Sequence, residues 1–302
     1  MELIKKQIHM NQWKGNVTTQ ITLDDDFIVP DTLDDMEQVM LDTGEIQIET
    51  VKNQGDKVAV KGKLEFQVLY RKESGGLQTL GGNIPFEEVV NVQGLEEKDY
   101  VGLNWMLEDL NTDMINSRKL GVQAIITLQV RVETLRDVEA AVDVDMENNS
   151  RPAGAGMSDT DGAGQVQVET LKRTANAAAI AVRRKDTYRI KEELSLTGGK
   201  PNIGQLLWRE MKLRDVTAKP LDGRLHLDGE LSVFVIYGAE DENMPVQWLE
   251  ETIPFSGDME MGDVKEDQIP MVTVRLAHKD MEAKPDYDGE MREMDVDAVL
   301  EL

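Results

Sequence analysis

Cysteine is absent from the 302 residues, which excludes disulfides, thiolate metal sites and cysteine nucleophiles together. Positive charge is also scarce. Lys and Arg number 33 against 58 Asp and Glu, a formal net charge of -25. A field of that sign repels phosphate backbones and anionic bilayer surfaces, so nucleic acid and lipid headgroups are not expected partners. A basic partner, or simple solubility, fits better. Long apolar runs are missing as well: AAAIAV at 177–182 is far too short to span a bilayer. The N-terminal MELIKKQIHMNQWKGN has two lysines but no apolar stretch after them, so neither an export signal nor membrane insertion is expected.

What is present is a chain that is 40% apolar, sufficient for globular folding and long enough for about two domains. Those two domains are copies. VKGKLEFQVLY at 60–70 and LDGELSVFVIY at 227–237 share Gly62 with Gly229, Leu64 with Leu231, Val68 with Val235 and Tyr70 with Tyr237 at a constant offset of 167 residues. LDDDF at 23–27 faces IKEEL at 190–194, and DDMEQVM at 34–40 faces PNIGQLL at 201–207, at the same offset. Ile84-Pro85-Phe86 then matches Ile253-Pro254-Phe255 at 169, and Val122, Ala124 and Leu128 match Val296, Ala298 and Leu302 at 174. The offset grows only in loops, as it does between two copies of one fold.

Within each copy, Asp35 or Asn202 is placed to cap a short α-helix, MEQVM or IGQLLWREM, by accepting from first-turn amides. Strands EIQIETV and MKLRDVT follow, then the quoted strand pair, a polar hairpin loop (KESGG; AEDEN), and a strand leading to Ile-Pro-Phe. NWMLEDLNTDMI with KLGVQAIITLQVRVE, and VTVRLAHKDMEA with EMDVDAVLEL, close the two units. Alternation of Leu64, Phe66, Val68 and Tyr70 with Lys63, Glu65 and Gln67 puts one face inward. The fold class expected is mainly β: two tandem copies of an antiparallel β-sandwich-like domain, each with one short α-helix. The first domain takes residues 1–146 and the second 165–302. Residues 147–164, ENNSRPAGAGMSDTDGAG, read as a flexible linker that leaves the interdomain angle variable. Tyr70 and Tyr237 are expected to be buried at equivalent strand positions.

No catalytic, cofactor-binding or metal-binding residue is nominated. His9, His226 and His278 are scattered without ligand spacing, and His226 sits in the alternating RLHLDG. DTDGAG at 159–164 resembles the start of a calcium loop, but the twelfth position holds Thr170 in place of the bidentate Glu. Gly198-Gly199-Lys200 lacks the rest of a phosphate-loop pattern and reads as a turn. Asp24-Asp25-Asp26, with Lys191-Glu192-Glu193 as counterpart, reads as a solvated strand end. Trp105 and Trp208 lie in patterned segments and are expected in or at the edge of the core, whereas Trp13 and Trp248 are candidates for exposed contacts. This pattern favours binding or scaffolding over an enzyme.

LDDDFIVP, GEIQIETVK, VKGKLEFQVLY, GNIPFEEVV and WMLEDLNTDMINSRKLGVQAI in the first copy resemble the SPOCS domain of SipL-type proteins. So do RRKDTYRIKEEL, GGKPNIGQLL and YDGEMREMDVDAVLEL in the second. The resemblance covers nearly the whole chain outside the linker. It implies an endospore-forming Firmicute source and a non-enzymatic morphogenetic role in spore-coat assembly, in the mother-cell cytoplasm at the forespore surface. The implied partners are the ATPase that polymerises into the coat basement layer and other coat proteins, and no cofactor is implied. In that family a C-terminal LysM module implicated in the partner contact follows the SPOCS domains, and no LysM-like segment is seen in this sequence. Leu302 corresponds to Leu128, whereas the first copy runs on through QVRVE at 129–133. This predicts a fragment whose last strand is cut short. The competing reading is an extracellular carbohydrate-binding or adhesive β-module, which calls for an exposed aromatic platform and a signal peptide. No partner-binding residues are assigned by either reading.

Overall fold

The structure, a computed structural model, describes residues 2–145, 171, 173–174 and 178–302. The proposed linker at 147–164, with its DTDGAG run, lies outside the described residues. Among the described residues, twelve strands follow one another in two similar halves. The first half holds β1 (Glu2–Ile28), β2 (Met36–Asn53), β3 (Lys57–Lys72), β4 (Leu77–Asn91), β5 (Tyr100–Asn116) and β6 (Lys119–Asp145). The second holds β7 (Thr187–Ser195), β8 (Ile203–Leu221), β9 (Arg224–Ala239), β10 (Val246–Glu260), β11 (Arg275–Pro285) and β12 (Met291–Glu301). Each half makes two antiparallel three-stranded sheets, ordered β1-β6-β5 and β2-β3-β4, then β7-β12-β11 and β8-β9-β10. The repeat is therefore a repeat of topology, β1 through β6 corresponding to β7 through β12.

Two-residue alternation builds each core. Leu64, Phe66, Val68 and Tyr70 from β3 meet the even-numbered residues of β6 from Leu120 to Val132, so the central strands of the two sheets face each other. In the second half Leu231, Val233, Val235 and Tyr237 of β9 meet Met294, Val296, Ala298 and Leu300 of β12. From the fourth residue onward, β4 and β10 carry the same succession of buried and exposed positions. The shared glycine and Ile-Pro-Phe are one device. Gly62 pairs with Phe86 and Gly229 with Phe255 across neighbouring strands, and each phenylalanine ring covers the glycine opposite it. A β-carbon on Gly229 would lie 2.6 Å from the Phe255 ring.

The expected short helices do not form. Residues 36–40 and 203–211 are the first turns of ladder in β2 and β8, paired with β3 and β9. Register shifts between Met36/Gln38 and Val39/Leu41 recur between Ile203/Gln205 and Leu206/Trp208, at the repeat offset. A bulge adds one residue to a strand, so Met36 and Val39, three apart, both face the core. That spacing imitates a helix.

Asp35 and Asn202, expected as helix caps, serve an arginine instead. Arg118 donates to the carbonyl of Leu33 and to Asp35 Oδ1, both at 2.9 Å. Arg292 donates to the carbonyl of Lys200 at 2.9 Å and to Asn202 Oδ1 at 3.1 Å. Tyr70 and Tyr237 are fully buried, as expected. The Tyr70 hydroxyl donates to the Asp34 carbonyl (3.0 Å), with Gln78 Oε1 also within reach, and that of Tyr237 donates to the Pro201 carbonyl (3.2 Å). Arginine and tyrosine together hold the entry of β2 or β8 against both sheets, which satisfies carbonyls no ladder reaches.

Candidate interaction surfaces

The described residues bring no catalytic constellation together, and no group of three or more His, Asp or Glu among them is placed to hold a metal ion. His9 Nδ1 lies 2.6 Å from Asp137 across the β1–β6 ladder. His226 sits between Asp258 (2.6 Å) and Asp228 (3.0 Å) on β9 and β10, and the hydrogen bond with Asp258 raises its pKa above the ordinary histidine value. His278 lies apart from both, on β11. The Asp24–26 run ends β1, with Asp26 paired to Lys119 at 2.6 Å, while Lys191 and Glu193 engage Asp297 and Lys284. Arg189, with Lys191, holds the Asp297 carboxyl down to about 2. These are solvated cross-strand pairs. Gly199 adopts φ +89° in the turn before β8, where only glycine is comfortable, and Lys200 continues over the Trp248 ring at 5.2 Å. The concavity of 310 Å³ on the outer face of β8-β9-β10 is lined by Glu210, Lys212, Arg214, Ser232, Phe234 and Glu250. It is open, and its charges are mixed.

The two halves touch. Leu69, Leu207 and Trp208 form a buried cluster with Leu77, Phe234 and Ile236, and the Thr79 hydroxyl donates to the Leu207 carbonyl. Lys279 pairs with Glu45 at 2.6 Å. Arg275 stacks on Trp105 with 3.8 Å to the ring centroid and donates to Asn104 Oδ1 at 2.8 Å. Trp208 is thus buried between the copies, not inside one, and Trp105 is packed against both its own core and the other half. Sequence reasoning missed this junction although a signal existed. Leu69, Phe234 and Ile236 occupy outward positions of β3 and β9, where alternation calls for polar residues.

Trp13 and Trp248 are exposed, at 51% and 56%, as expected. They stand on different halves, Trp13 beneath Arg131 (4.8 Å) and Trp248 beneath Lys200. A second exposed surface was not foreseen. β1 and β6 each run 27 residues against 9 and 11 for β7 and β12. β5 pairs with β6 only as far as Glu133, so among the described strands the rest of the β1–β6 hairpin is a two-stranded arm, reached by the Ile180 amide, which donates to the His9 carbonyl at 3.1 Å. It exposes Leu3, Ile4, Leu135, Val138 and Val142, and exposed apolar ribbons of this kind seek cover.

No curated protein and no solved structure matches the chain. A family model, SipL, SPOCS domain, matches it twice, over residues 35–115 and 202–284. Those spans are β2 to β5 and β8 to β11, the segments that carry Tyr70 and Tyr237, the side-chain acceptors Asp35 and Asn202, the glycine–phenylalanine pairs and the paired bulges. Since the two matches are set apart by the offset of the internal repeat and together take in more than half of the sequence, the chain belongs to the SipL, SPOCS-domain family.

Proposed function

We propose that this protein is a non-enzymatic scaffold in endospore coat assembly, tethering the coat at the forespore surface from the mother-cell cytoplasm. The observation that carries the reading is the tandem family match, which points to a sporulation-related protein. Its partners in this reading are the morphogenetic ATPase of the coat basement layer and other coat proteins. The fold supports it in two ways. The paired halves form a continuous body through the Leu69–Trp208 cluster, so contacts are presented at set distances along one chain. The net charge of -25 speeds encounter with a basic surface and is screened over about 8 Å at physiological ionic strength.

Capture of the full chain by the purified basement-layer ATPase, at low and at high salt, tests the proposal. Binding that weakens as salt rises is expected, with further weakening when Leu135 and Val138 of the arm are both replaced by Asp. If the ATPase and extracts of sporulating cells retain no chain at either salt, the scaffold reading fails.

A further inference from the structure

Arg131 is held in place without an acid to hold it. It stands on β6 between the inward Val130 and Val132, on the outer face of the β1-β6-β5 sheet, with its guanidinium 4.8 Å from the centroid of the Trp13 ring. Its Nε is buried and has no hydrogen-bond partner among the described residues, and no carboxylate there pairs with it. The other buried side-chain atom in that condition, Asp99 Oδ1, belongs to a carboxyl whose second oxygen already takes Lys14 at 2.8 Å. Glu133, the next outward residue of β6, accepts from Asn11 at 2.7 Å and from Arg183. The chain has 58 Asp and Glu against 33 Lys and Arg, so an arginine stacked in position and left unpaired has not been passed over for want of carboxylates. An orphaned donor of this kind points to an acceptor supplied from outside.

Opposite Arg131 on β5 stands Gly102. The ladder has no register shift there, the residue is not among the positive-φ glycines, and an added β-carbon would meet nothing closer than 3.6 Å. Neither backbone nor packing requires glycine, and a glycine inside a strand then marks close approach by another chain or a ligand. Tyr100 Cε1 lies 3.7 Å from the same vacant point, and Arg183 covers the Tyr100 ring at 4.3 Å. Trp13 and Tyr100 both pair opposite Glu133, two strand spacings or about 10 Å apart, and both are exposed. We infer that this face captures a segment of a partner protein through one Asp or Glu. Its carboxylate takes the Arg131 guanidinium, its backbone crosses Gly102, and apolar residues two places to either side cover the exposed parts of Trp13 and Tyr100. Alternate residues of an extended segment share a face, and five of them span about 13 Å, enough to reach both rings. A free anion would leave the rings uncovered, whereas aromatic and arginine side chains set together are the usual anchors of protein contacts. The chain's own charge of -25 opposes an acidic run, so a single carboxylate between apolar residues suits the site best.

The test is fluorescence anisotropy with the full chain and labelled, amide-ended pentapeptides. LSESL is expected to bind saturably, and LSQSL at least about tenfold more weakly, because the charge-assisted pair is lost. Arg131→Gln should weaken LSESL by at least about tenfold. Arg131→Lys should weaken it nearly as much, since an ammonium lacks the planar fork that lies on Trp13 and grips both carboxylate oxygens. Gly102→Val leaves Arg131 in place and fills the open position beside it. It should weaken LSESL several-fold while the urea midpoint stays unchanged or rises, which keeps the test valid even if the Arg131 variants fold poorly. Free glutamate at the peptide's concentration should not displace it. No saturable binding of LSESL below about 1 mM, equal binding of LSQSL, indifference to both Arg131→Gln and Gly102→Val, or displacement by equimolar glutamate would each overturn the inference.

Discussion

Replacing Gly229 with alanine measures how far the repeated glycine–phenylalanine pair stabilises each sheet. The three atoms nearest the new β-carbon would all belong to the Phe255 ring, at 2.6, 3.1 and 3.2 Å. Ring carbons pack at about 3.5–4.0 Å, so the ring must move by nearly 1 Å or the strands must part. Overpacking of this kind costs about 1–3 kcal/mol, offset by about 0.4–1 kcal/mol because alanine restricts the unfolded chain more than glycine does. A net loss of about 1–2 kcal/mol is expected. Gly62→Ala should cost more. Its β-carbon would meet the Gln47 carbonyl oxygen at 2.6 Å as well as the Phe86 ring at 2.8 Å, and a backbone oxygen cannot swing aside as a ring can. Shortening the ring separates the two cases. Gly229→Ala combined with Phe255→Leu should be less destabilising than the sum of the single changes by about 1 kcal/mol, since the methyl then fills vacated space. Gly62→Ala with Phe86→Leu should recover less. Urea denaturation of the full chain, followed by circular dichroism and by hydrogen exchange of β3 and β9, gives these values. If Gly229→Ala leaves stability unchanged and combines additively with Phe255→Leu, the ring does not hold the glycine as described.

Other substitutions probe the remaining repeated contacts. Tyr237→Ala should cost about 3–5 kcal/mol and Tyr237→Phe about 0.5–1.5 kcal/mol, read by the same denaturation; equal losses would mean that the hydroxyl, not the ring, carries the effect. Arg292→Ala should loosen the entry of β8, seen as faster hydrogen exchange at residues 200–204, while leaving the first half unaltered. Trp208→Asp places a charge in the junction cluster, and calorimetry should then resolve two transitions where the parent protein shows coupled unfolding of its halves. His226 titrates above the ordinary value because its charged form is paired with Asp258. The stabilisation from that pair is therefore complete below about pH 6.5 and fades as pH rises through the folded-state pKa. Asp258→Asn should bring the His226 proton resonances back toward an ordinary titration, and an unmoved midpoint would remove the pairing as cause.

The repeat, the strand-rich class and the inward set of residues were contained in the sequence, because two-residue alternation and a constant offset are one-dimensional signals. Leu64 to Tyr70 and Leu231 to Tyr237 face inward as that alternation dictates. Around residues 36–41 and 203–208 the same reasoning fails, since a bulge shifts the alternation and leaves apolar residues three apart, where only the ladder to β3 or β9 distinguishes strand from helix. The partner of each outward apolar residue is likewise beyond a linear pattern. Leu69, Phe234 and Ile236 could be marked as out of place, but that they meet Trp208 depends on how two finished sandwiches sit together. Hydrogen bonding in sheets joins residues distant in sequence, so composition states what a segment can do and the tertiary neighbours determine what it does.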